Sequence, residues 1–363
     1  MRMNPTLTVF ALLGLAAASS PAMAGSYVVN CGTNGDAALV QNQLAAMAGP
    51  NNTLLVGGTC VGDVSISNFD SLTIFGLSLT GNLYLRNATR VSMQGVIVHG
   101  TLDVDRSSFT VNSSTVNGAI QLRRNSSGTF GTLNVTQGRD PATGAAVYGI
   151  WCLQGSDCNF TNTSVSGLPS GDPASPAVGI LAATASRLSF ASGRVAGFDI
   201  GVKVWNNSTA FLMPDCGNLT IESNSTAGVQ VRDGGVVKLE GAPPPVSATC
   251  PAGIVIANNG SYGLLAEGGG LGFLYRAQVS GHSVDNVKVQ NGSIVKIRSS
   301  TIGAATGSGR AARLKGNAHL WFDEETNGPS AGSTLAGPVC MTNGSTVDTD
   351  NSSTTLTTVS SCP

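Results

Sequence analysis

Four consecutive segments decide the fold: Gly62–Thr80, GDVSISNFDSLTIFGLSLT; Gly81–His99, GNLYLRNATRVSMQGVIVH; Gly100–Asn117, GTLDVDRSSFTVNSSTVN; and Gly118–Thr136, GAIQLRRNSSGTFGTLNVT. Each opens on Gly and lasts 18 or 19 residues. After that Gly, Val64/Ile66, Leu83/Leu85, Leu102/Val104 and Ile120/Leu122 alternate with other residues. A period of two is the mark of a strand, with the apolar set on one face. A second strand repeats the pattern in Leu72/Ile74, Val91/Met93 and Phe109/Val111. A third closes the unit as VIVHG at 96–100 and STVNG at 114–118.

Working outward, unit starts recur at Gly149, Gly179, Gly201, Gly228, Gly263, Asn286, Arg310 and Pro338, with longer loops between them. Val202/Val204, Val229/Val231 and Val287/Val289 continue the first strand, and Leu188/Phe190 and Leu320/Phe322 the second. Repeats near 20 residues mean a solenoid, here of about twelve turns. Leucine-rich repeats share the length, but neither their Asn ladder nor a helical stretch intervenes. Three short strands per turn stack into three parallel sheets, so the expected fold is an all-β parallel β-helix solenoid.

What precedes the repeats reads differently. Arg2, the apolar run Leu7–Ala18 and the motif Ala22-Met23-Ala24 form a secretory signal peptide over 1–24. The run is shorter than the ~20 residues a membrane span needs. The expectation is a secreted, soluble protein, periplasmic or extracellular, with no membrane span. Residues 25–60 are assigned to an N-terminal cap and 61–363 to the β-helix. The cap carries one helix, Asp36–Met47, with Leu39, Gln43, Leu44 and Met47 at helical spacing and Gly49-Pro50 as its stop. A solenoid needs such a cover over its open apolar end.

All eight Cys follow the leader. In an oxidising compartment they read as disulfides, and turns about 4.8 Å apart suit that bond. Their places in the repeat pair Cys31 with Cys60, Cys152 with Cys158, Cys216 with Cys250 and Cys340 with Cys362. The 47 Gly, 11% charged and 5% aromatic residues suit short strands and tight turns. A net charge of −1 argues against nucleic acid and anionic membranes as partners. No phosphate loop, dinucleotide fingerprint or Gly-x-Ser-x-Gly elbow occurs, so no organic cofactor is expected.

The segments GVQVRDGGVVKLEG (228–241), TIESNSTAGVQV (220–231) and VIANNGSYGLL (255–265) place Asn224 and Asn259 each four residues before the next turn's Gly. In these the chain resembles the right-handed parallel β-helix, or pectin-lyase-like, superfamily over roughly residues 50–360. The resemblance implies a right-handed coil and sites on one sheet's outer face between long loops. It implies no single activity, because its members include lyases, hydrolases, epimerases, esterases, tailspikes and adhesins. Gly281-His282-Ser283 and Lys296-Ile297-Arg298 come nearest to polygalacturonase segments, and both depart from them.

Alternation turns Tyr84/Arg86, Asp103/Asp105, Gln121/Arg123 and Trp151/Leu153 outward from the Gly-led sheet, followed by Lys203/Trp205 and Gln230/Arg232. Arg86, Asp105 and Arg123 fall in one column, and Tyr84, Asp103, Gln121 and Trp151 in the next. Insertions at 137–148 and 168–178 are expected to wall a groove there. Arg86, Asp103, Asp105 and Arg123 are the candidate catalytic set: one Arg neutralises a uronate carboxylate, and another base takes the C5 proton in β-elimination. Asp103 and Asp105 suit either Ca²⁺ or acid/base hydrolysis. A plainer reading is cross-strand ion pairing, worth about a few tenths of a kcal/mol per pair.

Tyr84, Gln121, Trp151, Lys203 and Trp205 are the candidate substrate-binding residues, with the two Trp rings offering flat faces to sugars. Packing beneath a loop is the other reading for each Trp. His99, His282 and His319 lie on distant turns and share no metal site. His282 with Asp285 reads as a surface turn ahead of a base and its orienter. The expected function is non-catalytic binding of a polysaccharide or cell-surface glycan, or a structural role at the surface. The alternative is a lyase or hydrolase acting on an acidic, uronate-containing polymer.

Overall fold

A strand four residues long cannot bury its apolar face alone, and here each strand finds its partner one turn away. The computed structural model describes residues 24–47, 49–136, 148–214, 217–242, 253–323, 332–342, 344–349 and 359–361. Three parallel sheets of 13, 14 and 13 strands run through them. Sheet I, the Gly-led one, extends from Val64–Ser67 to Val359–Ser361, and sheet II from Ser26–Asn30 to Thr346–Thr349. Sheet III extends from Gly35–Asp36 to Thr334–Leu335. From Val64 onward the chain visits I, II and III in turn and returns one step further along. This is the parallel β-helix solenoid that the repeats predict, and its turns begin where the leading residues mark them.

Register puts like on like. Leu83, Leu102, Ile120 and Ile150 are successive partners in sheet I, all buried. Inside sheet II, Phe109, Phe130, Phe160 and Phe190 stack with centroids 5.2, 4.6 and 6.0 Å apart. Each such buried side chain contributes about 1.5–3 kcal/mol. Gly leads the turn because the space is taken: a Cβ on Gly228 would lie 2.7 Å from Asn259 Nδ2 and 2.6 Å from Ile256 Cγ2.

Two internal polar ladders satisfy the turns' backbone. Between sheets I and II, the amides of Ala88, Ser107, Ser126 and Ser186 donate to the hydroxyls of Ser107, Ser126, Ser156 and Ser208. Between sheets III and I, Phe198 N–H donates to Asn224 Oδ1, Asn224 N–H to Asn259 Oδ1, and Asn259 N–H to His282 Nδ1, each at 3.1 Å. His282 is therefore a fully buried rung and not the surface turn expected. Asp285 does not orient it but pairs with Arg310 at 2.6 Å.

The cap helix spans Ala38–Ala46, shorter than expected at both ends. It buries Val40 and Leu44, one turn apart, while Leu39 stays exposed. Gln41 covers the open edge of sheet I: its Oε1 accepts Ser65 N–H at 2.8 Å, and its Nε2 donates to Ser65 O at 3.1 Å. A side-chain amide thus stands in for a missing strand.

Disulfides join Cys31 to Cys60 and Cys152 to Cys158, with Cα atoms 5.3 and 6.3 Å apart. Cys340 is also disulfide-bonded. Its expected partner Cys362, together with Cys216 and Cys250, lies outside the described residues, as do residues 1–23 of the expected leader. Among the described residues no helix is long and apolar enough to cross a membrane.

Candidate functional site

The outer face of sheet I carries two polar patches with an apolar stretch between them. In the first, Asp103 stands in register with Tyr84 and Gln121, and Asp105 with Arg86 and Arg123, as the alternation predicts. The ion pairs, however, run diagonally. Asp103 Oδ2 accepts from Arg86 at 2.8 Å and Arg123 at 2.6 Å, while Asp105 Oδ2 takes Arg124 at 2.5 Å. Arg124 occupies a left-handed turn (φ 53°) that bends its side chain back over the sheet. Arg86 also lies 5.1 Å from the Tyr84 ring centroid, and Tyr84 Oη donates to Asp63 at 3.3 Å.

Both aspartates are nearly buried by their partners, with residue exposures of 8% and 7%. Burial raises the Asp103 carboxyl, but hydrogen bonds and charge from Arg86 and Arg123 outweigh it and hold the group below its ordinary range. The result is a brace in which both carboxylates are engaged by arginines. No group of three or more His, Cys, Asp or Glu gathers here or elsewhere among the described residues. A dication at Asp103 and Asp105 has to displace guanidinium groups already bound.

Next along the sheet, Val178, Leu181, Ala183 and Ile200 form a small apolar cluster outside the solenoid, with Tyr148, Trp151 and Leu153 packed on it. Trp151 meets Tyr148 edge-on at 4.2 Å and buries its indole N–H. Its ring therefore packs beneath a neighbouring side chain, and residues 137–147 of the wall expected from 137–148 lie outside the described residues.

The second patch has a real cleft. Lys203, Gln230 and Arg232 line one side, and the 168–178 insertion supplies the other through Gly171–Ala174 and Pro176, enclosing about 470 Å³. Asp199 clamps that insertion. Its Oδ2 accepts Ser170 N–H and Ala177 N–H at 2.8 Å and Ser170 Oγ–H at 2.5 Å, and its Oδ1 accepts Ser225 Oγ–H at 2.6 Å. Burial raises this carboxyl too, and the four donors more than reverse it.

Around the cleft most charges are committed. Asp233 Oδ2 accepts from Trp205 Nε1 at 2.6 Å and Arg232 Nε at 2.8 Å. Glu267 takes Gln230 at 2.7 Å and Gln290 at 2.8 Å. Two charges lack an ion-pair partner among the described residues: Asp172 on the opposite wall, whose Oδ1 accepts Ala174 N–H at 2.9 Å, and Lys203, whose Nζ lies 5.4 Å from the Trp205 ring centroid. Burial, reinforced by the Arg232 charge, pulls its ammonium below the usual lysine range against the attraction of Glu267 and Asp233. Trp205 is 37% exposed. A larger crevice of about 570 Å³ opens beneath the cap helix, but its one charged lining residue, Asp70, is held by Arg90 at 2.6 Å.

The candidate residues thus fall into three groups. Tyr84, Arg86, Asp103, Asp105, Gln121 and Arg123 belong to the brace, Trp151 to the apolar stretch, and Lys203 and Trp205 to the cleft. Four strand steps, roughly 19 Å, separate Asp103 from Lys203. Asp199 and Arg124 were not legible as functional from the chain. The partners of Asp199 lie 22 to 29 residues away, and only closure of the turn brings them together. No family model matches the chain, and no curated protein matches it in sequence.

Proposed function

We propose that this chain is an exported, non-catalytic β-helix of the pectin-lyase-like kind that binds an acidic polysaccharide or cell-surface glycan in the cleft over Lys203, Gln230 and Arg232. The observation that carries this reading is the half-buried Lys203 ammonium, unpaired beside Arg232 and Trp205 at a cleft edge. A cation without a carboxylate partner attracts a carboxylate from outside, and a neighbouring ring suits the apolar face of a sugar. The disulfides fit an oxidising compartment.

Affinity electrophoresis through gels holding polygalacturonate, alginate or neutral dextran tests the reading. Retardation by a uronate polymer alone is expected, and Lys203→Gln with Arg232→Gln should weaken it about tenfold or more. Equal retardation by dextran, or an unchanged double variant, overturns it. Loss of binding on removing Ca²⁺ returns Asp103 and Asp105 to the site.

The same Lys203 supports one catalytic alternative. A lysine with a lowered pKa beside an arginine suits β-elimination: Lys203 takes the C5 proton, the C4–O bond breaks, C4=C5 forms, and the departing oxygen gains a proton from water. Ultraviolet absorbance of unsaturated ends, released from a uronate polymer and lost in Lys203→Gln, distinguishes this enzyme from a binder.

A further inference from the structure

Sheet II carries on its outer face a register column that changes character halfway along. From Thr73 through Ser189 it holds only hydroxyl and amide side chains. From the next strand it reads Phe211, Lys238, Phe273, Lys296, Trp321, ring and cation alternating over five consecutive strands, before ending on Asp348. The first half shows that the solenoid needs neither rings nor cations at this position. Successive rings stand two strands apart, about 9.6 Å.

Cations flank this stripe along its length. Glu240 is shared by Lys238 and Arg276, and Asp323 by Lys296 and Arg298. Arg187, 5.0 Å from the Phe211 ring centroid, has no acid partner among the described residues. Lys296 Nζ lies 4.1 Å from the Trp321 centroid, and Tyr275 in the adjacent column is flanked by Lys238 and Arg298 at 5.6 and 5.1 Å. Each ring is half-buried, and no deep cleft accompanies them.

We propose that this stripe is a second binding surface, for an extended acidic polysaccharide lying along the solenoid axis. A flat face with repeated weak contacts holds a polymer by multivalency, not a small ligand. The repeat of ring then cation over two strands is commensurate with an extended disaccharide carrying one carboxylate. The ring edges and stems meet the sugars' C–H surface, and Lys238 and Lys296 meet the carboxylates. The surface is separate from the sheet I cleft and does not depend on the reading given to it.

The test measures hyaluronan, an alternating neutral and uronate polymer, against the full chain carrying Lys203→Gln and Arg232→Gln, so that the cleft is disabled. Binding should persist in that protein. Adding Lys238→Gln and Lys296→Gln should weaken it about tenfold or more and flatten its salt dependence. Arg276 and Arg298 still hold Glu240 and Asp323 in that variant, and an unchanged thermal midpoint confirms the fold. In the unsubstituted protein, hyaluronan should also protect Lys238 and Lys296 from amine acylation.

Unaltered affinity in the stripe variant, absent protection, or equal binding of single-stranded oligothymidylate overturns the proposal. If disabling the cleft alone abolishes binding, the stripe fails and the cleft stands. If the stripe variant alone abolishes it, the cleft reading fails instead.

Discussion

Around Asp103 and around Lys203, sheet I presents the same kinds of residue on the same face, yet the two patches end in opposite electrostatic states. At Asp103 two arginines converge on one carboxylate oxygen and a third holds Asp105. At Lys203, Asp233 and Glu267 are held by Trp205, Arg232, Gln230 and Gln290 and Asp172 by a backbone amide, and the ammonium has no carboxylate partner among the described residues. What separates them is a loop. No described insertion covers the brace, so its charges close on one another. The 168–178 insertion lifts a wall over Lys203 and turns spare charge into a lined cleft.

The strongest challenge to this contrast is Asp199→Ala. It removes the acceptor shared by the buried Ala177 N–H and the more exposed Ser170 and Ser225, and should lower stability by about 2 kcal/mol by denaturant unfolding while abolishing cleft binding. Retained binding with lost stability would separate the wall from the ligand. Asp103→Ala comes next. It leaves Arg86 and Arg123 facing each other, and should lower stability by about 2 kcal/mol without changing glycan affinity. Lost affinity in a folded Asp103→Ala variant would make the brace part of the site.

Acid should distinguish the turns beneath the two patches. The N-terminal turns rest on serine rungs, which do not titrate, whereas the cleft turns rest on Asn224, Asn259 and His282. His282 Nδ1 lies 3.1 Å from Asn259 N and 3.2 Å from Asn259 O, and the ring is fully buried. Burial lowers its pKa from 6.5, with hydrogen bonding to Asn259 and Ile256 opposing. The unfolded chain then takes up a proton that the fold refuses. Stability is full above about pH 6.5 and declines below it, by at most about 1.4 kcal/mol per pH unit.

Asp103 and Asp199, both held below 3.8, contribute until the pH falls under about 4, so the windows do not overlap. Hydrogen exchange should show the 224–286 turns loosening first near pH 5.5, and His282→Asn should remove the slope. A smaller effect lies at the alkaline end. Because the Lys203 ammonium loses its proton below the ordinary 10.5, affinity for a uronate should fall a few-fold as pH rises through that lowered range. Lys203→Arg should keep it level.

The Gly-led repeat and its period of two were enough to place the three sheets, the turn starts and the inward residues. Side-chain direction in a strand is a local property, and parallel stacking repeats it from turn to turn. The same rule put Tyr84, Asp103, Gln121 and Trp151 in one column and marked Cys152 and Cys158 for each other. It did not say which arginine reaches which aspartate, because long side chains bridge diagonally and Arg124 enters through a turn. Nor did it show that Trp151 packs under Tyr148, that His282 is an inner rung, or that Asp199 pins a loop. Apart from the local Tyr148–Trp151 contact, those outcomes depend on atoms brought together from 17 to 29 residues apart, and only closure of each turn sets their distances.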